Sequence, residues 1–146
     1  MRLVKCTFRP QSHKMILMKP LKILAIETSC DETAIALLEA SGGLGAPKFK
    51  ILKNIVSSQT KIHAHWGGVV PNLAKREHLK NLPIVFGRIM NNELGIRGKK
   101  TKNSIHNSKF IIPDLIAVTV GPGLEPALWT GVNFAKEVRK KFIIHN

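Results

Sequence analysis

The chain has 146 residues, which is enough for one domain with a hydrophobic core and too few for two comfortable ones. Its 23 Lys and Arg against 9 Asp and Glu give a formal net charge of +14, which favours nucleic acid as a partner ahead of an anionic membrane surface, unless the excess lysine only maintains solubility. Two cysteines do not make a disulfide framework, so we expect a cytoplasmic protein. No apolar run reaches the roughly 18 residues of a membrane helix. The 5% aromatic content without Tyr argues against a base-stacking surface.

Residues 1–19 precede the first convincing strand and differ in character from the rest of the chain. They are basic and irregular, and Met15 and Met18 lie just before that strand. The stretch has neither the long apolar region nor the cleavage site of a secretory signal. We therefore expect an extension, which is either a start codon assigned too far upstream or a disordered basic arm.

Three strands are predicted next. Residues 21–27 form an apolar run, 34–39 a second one, and 49–58 alternate apolar and polar side chains. Glycines and a proline at 41–47 indicate a turn between the last two. The pattern predicts an antiparallel meander, followed by a loop at 59–71.

Helical periodicity begins at Pro71 and continues to about Leu94, with Pro83 expected to break or kink the helix. Residues 97–109 contain five Lys or Arg and no acid, which predicts an exposed loop. A short strand at 114–120, a Gly-Pro-Gly turn and a helix at 125–141 come after it. A meander followed by alternating helix and strand indicates one α/β domain with a mixed sheet and flanking helices.

Two polar turns stand at the ends of predicted strands. The first, 27–33, joins two apolar strands with three acids, three hydroxyls and a thiol, although an ordinary hairpin turn capped by hydroxyls would also account for it. The second, 121–123, lies between strand and helix, where free N–H groups can bind a phosphate or carboxylate, but alone it is only a tight turn. A meander with a polar first hairpin is typical of the N-terminal lobe of the actin-like, Hsp70-like and sugar-kinase ATPase fold.

Three motifs carry a resemblance to a known family. ETSCDET (27–33), HAHWGGVVPNLAKREH (63–78) and TVGPGLEPALWTG (119–131) resemble the universal tRNA adenosine threonylcarbamoyltransferase, formerly described as a glycoprotein endopeptidase. The similarity covers about residues 21–139 in the right order and spacing.

The resemblance implies an acyltransferase. Such an enzyme transfers threonylcarbamoyl from threonylcarbamoyl-AMP to the adenosine 3′ of the anticodon in tRNAs that read ANN codons, with AMP as leaving group. It also implies one divalent metal (iron, zinc or magnesium) and, as protein partners, a paralogous scaffold subunit and an ATPase subunit, with no membrane involved. A metal and aimed backbone donors would stabilise the charge that develops in the transition state.

The resemblance also assigns roles to residues. Asp31 and Glu32 match an acidic pair that orients the donor or a metal-bound water, or accepts a proton from the attacking amine; capping of neighbouring elements is the alternative. The donor's phosphate and nucleotide region would be lined by Thr28, Ser29, Gly121, Pro122 and Gly123. Cys30 is expected to be packed rather than nucleophilic, because no activating histidine is adjacent.

The histidines leave alternatives open. His63 and His65 form a His-x-His pair, but two ligands do not make a zinc site, and a structural loop is favoured. For Arg76 and His78, substrate contact and helix packing remain equally credible.

The chain departs from the family pattern in several places. The family's metal ligands, a His-x-x-x-His motif and a distant acid, lie beyond residue 146, so no metal ligand is assigned here, and Glu125-Pro126 replaces a small apolar pair. We therefore expect residues 20–146 to be a truncated N-terminal lobe, either a frameshift or assembly fragment or one part of a split enzyme, and inactive alone.

Three other functions compete with this one. A non-catalytic scaffold subunit of the same machinery would lack the ETSCDET acids that this chain carries. A generic ATPase or sugar kinase would need a phosphate loop richer in glycine. A basic RNA-binding module without chemistry would account for the charge, and it would bind any tRNA in a salt-dependent way.

Overall fold

The chain forms a five-stranded mixed sheet with helices packed on one face. The computed structural model describes residues 3–4, 19–42, 46–90 and 112–143; most of the 1–19 extension and all of the basic 97–109 loop lie outside these ranges. The strands are β1 (Leu3–Val4), β2 (Leu21–Glu27), β3 (Glu32–Ser41), β4 (Lys48–Ser58) and β5 (Leu115–Val118), in the spatial order β1-β5-β2-β3-β4. Strand β5 runs parallel to β2, and the other neighbours are antiparallel. The expected mixed α/β architecture with its meander is confirmed.

The alternation of the strands puts one row of apolar side chains under the helices. Leu24 lies opposite Leu37 and Ile26 opposite Ile35, and all four are at most 2% exposed. Side chains point alternately to the two faces of a strand, so this register fixes the buried face of the whole meander.

The opposite face of the sheet is much more open. Phe49, Ile51 and Val56 of β4 are 65%, 68% and 53% exposed. They lie opposite Ala40, Leu38 and Ala34 of β3, which belong to the same open face. The β4 register shifts between Leu37 and Leu38, which returns apolar residues to this face further along the strand.

Two long helices cover the buried face. Helix α2 (Pro71–Met90) and helix α3 (Glu125–Ile143) pack together, and the rings of Phe86 and Phe134 meet edge to face with centroids 5.7 Å apart. Leu82, Val85 and Ile89 complete the core beneath α2. Of the described helices, none is both long and apolar enough to cross a membrane.

Of the break or kink that the sequence predicts at Pro83, the break does not occur. The helix is continuous from Pro71 to Met90, and Pro83 is exposed on its surface. An interior proline costs about 3 kcal/mol through a lost hydrogen bond and a steric clash. Burial of Leu82 and Val85 on either side anchors both halves of the helix on the sheet and offsets that cost.

The segment between β4 and α2 is more regular than the predicted loop. It contains α1 (Thr60–His63) and a 3₁₀ turn (Ala64–Trp66), which ends at Gly67 with a left-handed φ of 68°. This compact segment places Gln59 and His63 against α2, close to the first polar turn.

Candidate functional site

The two polar turns are in direct contact. The Leu124 N–H donates to the Ser29 carbonyl oxygen at 2.8 Å, which ties the end of the Gly-Pro-Gly turn to the first turn. Parallel pairing of β5 with β2 brings the turns together, because the carboxyl ends of both strands lie at one edge of the sheet.

Gly123 makes this contact possible. Its φ is +153°, and a Cβ built on it would lie 2.5 Å from the Ser29 carbonyl oxygen and 2.8 Å from the Ser29 Cβ. Any side chain at this position would therefore push the two turns apart. Gly121, with φ +157°, has open space around it, and the Gly121–Pro122 peptide bond is cis.

Thr28 joins the first turn to helix α3. The residue is fully buried, and its hydroxyl donates to the Ala127 carbonyl oxygen at 2.9 Å. A Cβ on Gly131, one helical turn further on, would lie 2.3 Å from the Thr28 Oγ1. The hydroxyl is thus engaged with α3, and its predicted contact with a donor phosphate stays a prediction.

Glu27 is a site residue to which the sequence analysis gave no role of its own. One carboxylate oxygen accepts from the Ser29 N–H at 2.5 Å and the other from the Thr119 hydroxyl, so the carboxylate connects the first turn to the residue that directly follows β5. Burial by itself would raise the pKa of Glu27, but the hydrogen bonds from Ser29 and Thr119 outweigh it and hold that pKa below its ordinary value. The sequence signal that could have identified Glu27 is its position at the end of an apolar strand, where the acidic turn begins.

Asp31 and Glu32 form the exposed rim of the first turn. Asp31 is half-buried and Glu32 exposed. Partial burial, followed by the charge of Asp31 and a hydrogen bond with it, raises the pKa of Glu32 above its ordinary value. Two adjacent carboxyls of this kind can share a proton or a cation.

Cys30 directly precedes the two acids, and its surroundings favour the neutral thiol. Burial and then the hydrogen bond and charge of Asp31 raise the pKa of its thiol, which disfavours the thiolate. Cys30 is half-buried, and its packed role stays a prediction.

The histidines of the second motif separate by environment. His63 is buried, and its two ring nitrogens contact the Gln59 side chain at 3.0 Å and the Val70 N–H at 3.3 Å, whereas His65 is exposed. This occupancy supports the structural reading of His63. His78 is fully buried and reaches the Cys30 carbonyl oxygen at 3.0 Å, while Arg76 is exposed on the same helix.

The acids do not complete a metal site by themselves. Within the described ranges, no group of three or more His, Cys, Asp or Glu side chains is placed to hold a metal ion. The described side chains alone therefore do not provide the ligand set of the divalent metal that the resemblance implies. A groove of about 580 Å³ lies between α2 and α3 and is lined by residues that include Leu79 and Trp129. None of the lining residues belongs to the two turns, so this groove is separate from the candidate site.

Comparison with known proteins connects these motifs to one family. Residues 50–144 match the family model described as tRNA N6-adenosine threonylcarbamoyltransferase. Curated proteins of that name are similar to the chain: the one from Thermosipho melanesiensis is 45% identical over 121 residues (82% of this chain, 30% of the relative), and the one from Thermosipho africanus is 49% identical over 116 residues (78% and 28%). The protein of the same name from Thermus thermophilus is 40% identical over 119 residues (82% and 30%). The chain thus spans about 30% of the length of these relatives. With its two turns in contact and these matches across most of its length, the chain belongs to the tRNA N6-adenosine threonylcarbamoyltransferase family.

Proposed function

We propose that this chain provides the donor-binding turns of a tRNA N6-adenosine threonylcarbamoyltransferase. The reaction transfers threonylcarbamoyl from threonylcarbamoyl-AMP to the adenosine 3′ of the anticodon in tRNAs that read ANN codons. The observation that carries the proposal is the contact of Ser29 with Gly123 and Leu124, which makes one surface of two separate motifs. At the turn before α3 the Leu124 N–H is bonded to Ser29, and Pro122 and Pro126 have no N–H, so the N–H groups of Gly121, Gly123 and Glu125 are proposed to bind the donor's phosphate.

The acids of the first turn supply the proton chemistry in this proposal. The adenosine amine forms a bond to the carbamoyl carbon, the bond from that carbon to the phosphate oxygen breaks, and AMP leaves with the electron pair. The amine proton then passes to a carboxylate. Glu32 suits this role because its raised pKa makes it a stronger base than an ordinary carboxylate. Asp31, which is hydrogen-bonded to Glu32, keeps the Glu32 carboxyl group oriented.

Further partners are part of the same proposal. The +14 charge supports tRNA as the polyanion that this chain meets in the cytoplasm. A scaffold paralogue and an ATPase subunit are proposed as protein partners. A bound iron, zinc or magnesium ion would need ligands other than the described residues. Because the chain spans about 30% of the length of its relatives, we propose that the chain by itself binds the donor but does not catalyse the transfer.

The test uses the purified chain, a hydrolysis-resistant phosphonate analogue of threonylcarbamoyl-AMP, and titration calorimetry. Gly123→Ala should lower the affinity at least tenfold, because its methyl group displaces Ser29. Gly87→Ala is the matched control, since a Cβ there meets nothing within 4 Å and should leave binding unchanged. No measurable binding by the wild-type chain, or equal binding by both variants, would contradict the proposal.

The second candidate function is RNA binding without chemistry, favoured by the charge alone. It predicts tRNA affinity that falls steeply with salt and does not depend on the anticodon-loop sequence. Transfer of labelled threonylcarbamoyl to tRNA by this chain, alone or with the scaffold and ATPase subunits, would exclude it.

A further inference from the structure

We propose that His78 is a positioning residue that fixes the acidic turn by holding the carbonyl group of Cys30. The inference rests on the proposed function, because the turn it orders is the proposed donor site. The contact is long-range: His78 lies on helix α2, 48 residues from Cys30, and its Nε2 is 3.0 Å from that carbonyl oxygen.

The protonation of the ring is set by a chain of hydrogen bonds that begins at a backbone amide. The Val70 N–H can only donate, so the His63 Nδ1 accepts it and the His63 Nε2–H donates to the Gln59 Oε1 at 3.0 Å. With its oxygen so engaged, the Gln59 amide directs its NH₂ toward the Ala74 carbonyl oxygen at 3.4 Å and the His78 Nδ1 at 3.3 Å.

The far end of the chain of hydrogen bonds gives the same answer. The Thr33 Oγ1 is 2.8 Å from the His78 Nδ1, and with the ring protonated on Nε2 the single lone pair of Nδ1 is shared by the Thr33 hydroxyl and the Gln59 NH₂. A carbonyl oxygen can only accept, and Nε2 faces that of Cys30. Both ends therefore require one tautomer of neutral His78, with the proton on Nε2.

Burial makes this arrangement stiff. Thr33, Gln59 and His78 are 0% exposed and His63 is 3% exposed, so little water can replace a lost partner. An unsatisfied buried donor or acceptor costs about 1–3 kcal/mol, which penalises every alternative tautomer or amide flip.

The Cys30 carbonyl is the middle one of three that are held in succession. The Ser29 oxygen accepts from the Leu124 N–H at 2.8 Å, and the Asp31 oxygen accepts from the Gln59 N–H at 2.9 Å. Since these peptide bonds are trans, each carbonyl points opposite to the N–H of the same peptide unit. The His78 contact thereby sets the direction of the Asp31 N–H, and with it the backbone that carries both acids.

Two substitutions separate positioning from packing. His78→Gln keeps an N–H donor at about the reach of Nε2, whereas His78→Asn is too short to reach the Cys30 oxygen. Lys80→Gln, at an exposed position of α2, is the control. With the phosphonate analogue of threonylcarbamoyl-AMP, we expect His78→Asn to weaken binding at least tenfold, and His78→Gln and Lys80→Gln to stay within about threefold of wild type.

A second measurement does not depend on donor binding. Two-bond ¹H–¹⁵N spectra of the wild-type chain should show His63 and His78 as neutral rings protonated on Nε2, and His78→Asn should shift the amide signals of residues 29–33. If His78→Asn does not fold, Thr33→Val is the substitute variant, because it removes the hydroxyl beside the His78 Nδ1 with little change of shape. It should shift the same amide signals by a smaller amount.

The outcomes distinguish the two proposals. Failure of the wild-type chain to bind the analogue, with the expected tautomers and shifts, would refute the proposed function and leave the positioning role standing. A folded His78→Asn variant with wild-type affinity, or His78 protonated on Nδ1, would overturn the positioning role.

Discussion

At the scale of single residues, Glu27 shows how a partly buried charge links two motifs. Its carboxylate is the shared acceptor for the Ser29 N–H and the Thr119 hydroxyl, which belong to the first and the third of the three motifs. A hydrogen bond to a charged group is worth about 1.5–3 kcal/mol, roughly twice a neutral one. Glu27 therefore joins the ends of β2 and β5, whereas Gly123 allows the backbones of the two turns to approach each other.

Acidification should destabilise the chain through His78 and then Glu27. Burial lowers the pKa of His78 below 6.5, despite the opposing effects of Cys30, Glu27 and Asp31. Because the unfolded chain then binds more protons, the stabilisation from His78 is complete above pH 6.5 and is lost as the pH falls from that value through the lower pKa of the folded state. The stabilisation from Glu27 is lost in the same way as the pH falls below 4.5.

The measurement is the urea midpoint at about pH 7.5 and about pH 5.5. Wild type should lose more stability over this interval than His78→Gln, which has no titrating group at the position. Equal losses in the two proteins would show that His78 does not titrate differently in the folded and unfolded states.

At the scale of elements, two helical glycines should respond oppositely to the same change. Gly87→Ala on α2 meets nothing within 4 Å and should stabilise the chain by about 0.5–1 kcal/mol. Gly131→Ala on α3 should destabilise it by about 1–3 kcal/mol, because the new methyl group displaces the Thr28 hydroxyl from the Ala127 oxygen.

Thermal unfolding checks the pair. For a chain of this size, 1 kcal/mol corresponds to a shift of about 2–4 °C in Tm. The double substitution Gly131→Ala with Thr28→Ser, which removes the Thr28 methyl but keeps the hydroxyl, should not recover the loss. Recovery would mean that the Thr28 methyl, rather than its Oγ1, causes the clash.

Elements that a local sequence pattern defines could be predicted, whereas features that depend on tertiary packing could not. Strand β2 was predicted at its observed bounds, and the last helix within two residues, because local periodicity defines both. The segment from Thr60 to Trp66 was missed because its two helical turns are too short to show a period. Leu79 and Ile84 are apolar residues within α2, yet they are exposed, since which face of the helix is buried depends on the sheet.

The candidate site also has a part that could be predicted from the sequence and a part that could not. The meeting of the two turns could be expected from the motifs and the fold that they imply. The hydrogen bonds through Gln59 and His78 could not, because the partners are up to 48 residues apart and meet only when α2 packs on the sheet. Nothing in the local sequence of Gln59 distinguishes it from a surface glutamine.

At the scale of the whole molecule, the open sheet face should bind hydrophobic dyes. Phe49, Ile51 and Val56 form a row of exposed apolar side chains on β4. Several large apolar side chains exposed on one sheet face are uncommon on free soluble domains. The isolated chain should therefore enhance the fluorescence of ANS at neutral pH while its far-UV circular dichroism stays native.

Substitutions on the same face provide the check. Ile51→Lys should reduce ANS fluorescence, because it removes apolar area from the row. Asn54→Lys, on the same strand and facing the same side, adds the same charge without removing apolar area and should leave the fluorescence nearly unchanged. A similar reduction by both would mean that charge rather than apolar area governs dye binding.

The insertion of β5 beside β2 has a consequence for biosynthesis. Strand β2 is complete at Glu27, yet its neighbour on one side begins only at Leu115, so nearly ninety residues must leave the ribosome before the two can pair. Until then the nascent meander carries an unpaired edge, and contacts this distant in sequence form slowly. Synonymous codon changes that slow translation between Met90 and Leu115 should therefore prolong the period in which chaperones can bind the unfinished chain.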